Sequence, residues 1–405
     1  MLIHVKGVYN SDSREINGTG LLIRNGLIQK IGEYKELAKH YSDEILDYSD
    51  EYVFPGLINT HVHLELTPGA SAYDVYVQEN NETHWKKALE HAKQMLKSGV
   101  TTVRDMGSSM YMVNCLKQLS QEEKDYLPSI QISGMPLTEK NGHMHFLGEG
   151  ADTEEELCQK VRELKKAGCN CIKIIANGGQ NTPGSKPEYD AYDEKKIRII
   201  VEEAHKAGLT TAVHCLTTRS FVKSMRAGVD SIEHAACFVR RENDSLLERV
   251  YIPEIMEEFR GDHRWFMIGF SNDYHKLDKA RANIKTASEK ELFWLEQEKK
   301  EADIFKCILD LGLKPVIGTD GGCGFTYFDE TWLEVALLSE RCGLSAEDAI
   351  HAATVNGAAA LGLENQTGQI KEGLAADLIF MKENPLKNIR ALGKVAHVIR
   401  NGILI

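Results

Sequence analysis

No stretch of about 18 uncharged apolar residues, the length a helix needs to cross a bilayer, occurs in the 405-residue chain. The first residues, MLIHVKGVYNSDSREINGTG, lack the apolar core and small-residue cleavage site of a secretory signal. No CxxC pair is present, and the nine cysteines, an odd number, are scattered without a disulfide-like frame. They read as reduced thiols of a cytoplasmic protein. Cys169 and Cys171, one residue apart on an expected strand, are expected to pack rather than bind metal. Excess positive charge is missing as well. With 48 Lys and Arg against 60 Asp and Glu, the net charge of −12 opposes attraction to nucleic acid or anionic membrane. No basic patch with interleaved aromatics and no low-complexity segment appears. What remains is a globular composition, 42% hydrophobic and 27% charged, able to bury a sizeable core.

The middle of the chain repeats one order: amphipathic helix, glycine stop, short apolar strand, polar residue. In residues 84–97, Trp85, Ala88, Leu89, Ala92 and Leu96 share a helical face, Gly99 ends the helix, and 100–103 reads as strand. Thr153 and Glu156 form a capping box, Gly168 closes that helix, and 170–175 follows as strand. The same order recurs before strands 210–214, 229–234 and 314–320. Adding 53–61, 129–133 and 264–270 gives eight strands. Helix–strand alternation predicts a parallel sheet, and eight repeats predict an α/β fold closed as a (β/α)8 TIM-like barrel spanning residues 55–362. The flanks, 1–54 and 363–405, carry short strand patterns with turn signals such as Asn17-Gly18 and Asn25-Gly26. Neither has enough apolar residues to fold alone, so they are expected to join as one small β-sandwich.

His61 and His63 close the first strand two residues apart, so both imidazoles face the barrel mouth. Alone, an HxH pair is a weak signal, and any one histidine is as readily a packed core residue. However, His214 closes the fifth strand, His234 the sixth and Asp320 the eighth, and a barrel brings strand ends together. Neutral imidazoles with a carboxylate suit a borderline metal such as Zn²⁺. Lys173 alternates with Cys171 and Ile175 and is expected to point into the barrel, where an ammonium among metal ligands is costly. A carbamate formed from the neutral amine and CO₂ would instead be an anion able to bridge two cations. The alternative is an ion pair with an interior carboxylate; no competing inward acid is evident at the other strand ends.

His61-Val-His63, Lys173 in IKIIANGG, His214 in AVHC, His234 in IEHA and Asp320 in IGTDGG resemble the amidohydrolase superfamily. So do VFPGLINTHVH near the start and GQIKEGLAADLIF, NPL and VIRNG near the end. The resemblance runs over nearly the whole chain in the family's order. It implies two divalent metal ions, most readily Zn²⁺. His61 and His63 would hold the more buried ion with Asp320, His214 and His234 the other, and Lys173, as N6-carboxylysine, would bridge both. The branch it is most similar to holds imidazolonepropionase-related and prolidase-like enzymes that cleave Xaa–amino acid or N-acyl amino acid bonds. Deaminases of the superfamily usually use one metal and lack the bridging lysine.

On this reading the chain is a metal-dependent hydrolase of an amide C–N bond in a small-molecule substrate, with a metal-activated water as nucleophile and Asp320 as ligand and general base. His143, after the third strand, is the candidate to hydrogen-bond the substrate carbonyl, with His145 two residues on. Asn177, Gly178 and Gly179 are candidates to offer backbone amides to a substrate carboxylate, although a plain tight turn fits as well. Arg219 and Lys186 are candidates to neutralise an acidic substrate, against a solvated role. Residues 238–300, with Tyr251, Trp265, Tyr274 and Trp294, read in part as a lid whose aromatics line the pocket, or as ordinary helix packing. A cyclic amide or amidine hydrolase, or a deaminase, is the alternative activity; a non-catalytic scaffold is disfavoured because all six ligand positions are filled. A homo-oligomer is expected.

Overall fold

The computed structural model describes residues 1–42, 44–241, 246–272 and 274–405. Local signals act where the sequence puts them. Helix Asn81–Lys97 buries Ala88, Ala92 and Leu96. Thr153 and Glu156 close a reciprocal capping box on helix Glu154–Ala167, which ends on Gly168 at φ 82°. Asn25 and Gly26, at φ 51° and 77°, make the left-handed pair that a tight hairpin needs between strands Gly20–Arg24 and Leu27–Gly32.

Eight parallel strands form the barrel: β1 (Leu57–Val62), β2 (Val100–Asp105), β3 (Ser129–Ile132), β4 (Cys171–Ile175), β5 (Thr210–His214), β6 (Ser231–Glu233), β7 (Trp265–Phe266) and β8 (Lys314–Pro315). One arc runs β1-β2-β3 and the other β4 to β8 in order. Bridges Leu137↔Ile174 and Val62↔Gly321, both parallel, join the arcs at their two seams. Strands β6 to β8 are shorter than expected. The chain leaves regular pairing beside His234 (φ 71°) and Ala235 (φ 44°), and again at Asp320 (φ 58°).

The expected first strand, 53–61, is two elements. Strand Ile45–Pro55 belongs to a different sheet, and β1 starts after Gly56, where an added Cβ would lie 2.2 Å from Thr101 Oγ1. That other sheet has eight strands drawn from both chain ends, seven along one hydrogen-bonded path and Glu15–Asn17 pairing with Leu2–Asn10 off it. It joins where Leu378–Met381 pairs antiparallel with Ile45–Pro55. Its separate core includes Ile3, Val5, Leu21, Val53, Leu378 and Phe380. Cys169 and Cys171 are buried, as packing residues are. Among the described residues, no helix is long and apolar enough to cross a membrane.

Helix Thr331–Cys342 is tied to the segment after β7 by Glu334, whose carboxylate accepts the backbone N–H groups of Phe270 and Ser271, both at 2.8 Å. Burial pushes this acid up to about 7, against the lowering effect of those N–H groups. A folded-state value raised above the unfolded 4.5 gives stability that is full below pH 4.5 and lost as pH rises toward 7. The loss amounts to about 3 kcal/mol. In denaturant unfolding at pH 5 and pH 8, Glu334→Gln is therefore expected to gain on wild type by ~2–3 kcal/mol between the two pH values. A constant gap would refute this.

Candidate metal centre

The first and last barrel strands are stitched together where the ligand-type residues lie. Asp320 donates its N–H to His61 O at 2.9 Å, and His63 donates its N–H to Gly321 O at 2.8 Å. His61 and His63, on one side of β1 and its extension, converge with Asp320. His63 Nε2 lies 3.2 Å and His61 Nε2 3.4 Å from Asp320 Oδ1. One ligand atom from each of the three residues lies within 4.8 Å of the others, and all three side chains are buried. Two imidazole nitrogens and a carboxylate oxygen form a donor set that suits zinc and similar divalent ions.

Both rings are held in one tautomer. His61 donates Nδ1–H to Glu233 Oε2 at 2.6 Å, and His63 donates Nδ1–H to Gly107 O at 3.2 Å. The Nε2 lone pairs are thereby left for a cation. Burial, then the neighbouring Lys173, pulls His61 down to about 3, so the ring is neutral, as a ligand must be. Burial works against ionised Asp320, yet the His63 hydrogen bond, His234 and His61 hold it well below the usual carboxylate range. Glu233 is wholly buried and also receives Ser231 Oγ at 2.6 Å and Arg104 Nη2 at 3.1 Å. Arg104 Nε donates to Thr60 O at 2.8 Å. Burial disfavours the Glu233 anion, but Arg104 and then His61 outweigh it.

Lys173 is 2% exposed and points into this group, with Nζ 3.2 Å from His61 Nε2. Burial pulls its ammonium below the ordinary lysine range, against Glu233 and Asp320. The expectation that no other acid faces inward is corrected: Glu233 does, but its oxygens are engaged by His61, Arg104 and Ser231. The remaining histidines continue the cluster. Ring centroids are 5.0 Å apart for His61–His234, 4.8 Å for His214–His234 and 4.9 Å for His143–His214. His214 donates Nε2–H to Gly178 O at 3.2 Å, which leaves Nδ1 free to ligate. His143 is buried in the same cavity, and its Nδ1 lies 3.0 Å from Thr182 Oγ1.

The other substrate candidates are placed differently. Asn177 is fully buried and its amide is spent on Gly178 O, Pro187 O and Leu216 N. Gly178 N–H goes to Tyr189 O and Gly179 N–H to Ser185 Oγ. These three therefore build the loop that aims His214 and His143, instead of offering amides to a ligand. Lys223, buried on helix Thr218–Ala227, pins both ends of that loop through Ala176 O at 2.8 Å, Tyr192 O and Asp190. Arg219 is 80% exposed and pairs with Asp190 in an outer groove. Lys186 is exposed, and His145 lines a separate outer hollow with Nδ1 bound to Gly142 O. A buried Asn or an outward Arg carries no mark in sequence that separates it from a ligand-reading one.

The segment 238–300 supplies the cavity wall in part. Phe238, Arg249, Trp294, Glu298 and Glu301 line the cavity that also holds His143, His214, His234 and Asp320. Tyr251, Trp265 and Tyr274 instead pack against hydrophobic clusters. Residues 242–245 and 273 of the segment lie outside the described residues. Glu233, Arg104, Thr182 and Arg249 escaped the sequence reading. For Glu233 and Arg104 the usable signal was phase, since each is two residues from an inward Ser231 or Thr102.

At Gly179 an added Cβ would sit 2.3 Å from His143 Nε2. Gly179→Ala is expected to cost about 1–3 kcal/mol in thermal unfolding by overpacking. Unchanged stability would show that the loop yields freely.

Comparisons with known proteins agree with this geometry. The Amidohydrolase family profile matches residues 52–405. Ochratoxinase from Aspergillus niger is 23% identical over 97% of this chain and 84% of its own length. Imidazolonepropionase from Clostridium tetani is 24% identical over 93% and 88%. The crystal structure of a Xaa-Pro dipeptidase with bound methionine superposes with a TM-score of 0.83 at 24% identity, covering 100% of this chain and 99% of that one. A family match over most of its length, a barrel with a second β-domain and a His-His-Asp centre at the barrel mouth together place one conclusion beyond fold alone: the chain belongs to the amidohydrolase family.

Proposed function

We propose that this chain hydrolyses an amide C–N bond of a dipeptide or an N-acyl amino acid, using two divalent metal ions, zinc first among them. His61, His63 and Asp320 would hold one ion and His214 and His234 the other, with Lys173 bridging as N6-carboxylysine. The observation that carries this reading is the convergence of His61 Nε2, His63 Nε2 and Asp320 Oδ1 in a buried cluster. A Xaa-Pro dipeptidase with methionine in its active site among the structural neighbours favours the dipeptide form.

When bound, such ions supply Lewis acidity that makes water nucleophilic near neutrality and polarises a carbonyl. The rest is the work of the chain's own groups. Asp320 takes the proton of the attacking water and passes it to the leaving nitrogen, which departs poorly unless protonated. Thr182 Oγ1 receives Met144 N–H at 2.9 Å, so its own hydroxyl proton is directed to His143 Nδ1. His143 then keeps its proton on Nε2 and donates it to the substrate carbonyl oxygen. Glu233 and Arg104 hold the His61 ring in its ligating tautomer, and Gly178 O does the same for His214.

A second reading, a cyclic amide hydrolase or deaminase, is favoured by the imidazolonepropionase relative and by the single closed trio of ligand atoms among the described residues. Zinc-loaded protein is expected to carry two equivalents per chain by elemental analysis and to turn over dipeptides or N-acyl amino acids. One equivalent, with activity surviving Lys173→Ala and confined to cyclic substrates, would favour the second reading. Asp320→Asn is expected to lower kcat by roughly 10²–10⁴-fold, as loss of a general base does. Glu233→Gln is expected to weaken zinc affinity about 10–100-fold in a chelator competition, because the tautomer lock is lost; equal affinity would remove Glu233 from that role.

A further inference from the structure

The cavity above the histidines has one wall made by the hairpin that follows β6, strands Phe238–Arg240 and Leu247–Arg249, and by helix Glu289–Asp310. Arg249 stands in this wall with only 11% of its side chain exposed. Its backbone N–H donates to Gln297 Oε1 at 2.6 Å, and its guanidinium sits 4.6 Å above the Phe238 ring and pairs with Glu301. The group is thus held before any ligand arrives. Its Nε is buried without a hydrogen-bond partner among the described residues, an arrangement that folded proteins avoid unless something else completes it. The acids of the wall are already matched. Glu298 receives Arg281 at 2.8 Å and Arg341 at 3.2 Å, Glu301 receives Arg249, and Arg281 also pairs with Asp278 at 2.8 Å.

We propose that Arg249 receives a carboxylate of the substrate on the part of its guanidinium that lines the cavity, while Leu216, Phe238 and Trp294 hold an apolar side chain beside it. A guanidinium has five N–H donors in a planar fork, so it serves Glu301 on one edge and a second carboxylate on another. The ligand class is an acyl amide that carries a free carboxylate next to an apolar group. This inference rests on the amide-hydrolase reading of the same site, and it moves the acid-reading role from the outward Arg219 to the cavity.

The test is calorimetric titration of zinc-loaded protein with 2-benzyl-4-oxopentanoic acid, in which a CH2 replaces the scissile amide nitrogen of N-acetylphenylalanine, and with its methyl ester. Wild type is expected to bind the acid at least about tenfold more tightly than the ester, the scale of one charge-assisted contact. Arg249→Met/Glu301→Gln removes both charges of the pair together and is expected to erase the preference. Arg249→Lys, which keeps the charge but loses the fork, is expected to retain part of it. Equal binding of acid and ester by wild type, or a preference that survives the double substitution, overturns the proposal; the latter would assign the carboxylate to zinc. Hydrolysis is scored separately, by release of L-phenylalanine from N-acetyl-L-phenylalanine. Absent turnover with an intact, Arg249-dependent preference defeats the hydrolase reading and leaves this site standing; turnover without the preference does the reverse.

Discussion

A buried chain of charge, Arg104 to Glu233 to His61, is the constraint on which the centre depends. A carboxylate wholly removed from water is costly unless its oxygens are hydrogen-bonded, and here Arg104 and Ser231 donate to one and His61 to the other. In return the anion fixes which nitrogen of His61 carries the proton, and so which one faces the cavity. Three different strands, β1, β2 and β6, contribute to this chain. The barrel therefore has to close before the ligand set exists, and the ligand set reports that it has closed.

The same logic operates at lower charge around His214 and His143. A glycine-rich loop after β4 spends its own amides on itself, presents one carbonyl to His214 and one hydroxyl to His143, and is tied at both ends to a single buried ammonium, that of Lys223. Saturating all three ammonium protons on oxygen makes the tie directional as well as strong. The loop acts as a jig for two rings rather than as a ligand cradle.

Much of the architecture was legible because its signals are periodic. Five glycine-stopped repeats and three further strand patterns announced the barrel, and the two-residue spacing of His61 and His63 placed both on one side of β1. The break at Gly56 was not legible, because the residues on both sides of it, Val53 to Pro55 and Leu57 to Ile58, are apolar, and close packing on Thr101 divides them. Glu233 was overlooked since a carboxylate beside a histidine reads equally as solvent-facing on a three-residue strand. Asn177 to Gly179 misled because a glycine turn has the same sequence whether its N–H groups are open or spent. Arg219 and Arg249 differ by 80% against 11% exposure, a contrast fixed by a hairpin inserted after β6 and by no local pattern.

Strand Ile45–Pro55, which leads straight into His61, is bordered on one side by Leu378–Met381, more than three hundred residues later. Loop closure across such a separation is slow and entropically demanding. Until the later strand is made, the nascent chain carries an unpaired strand edge, a ready template for association with other chains.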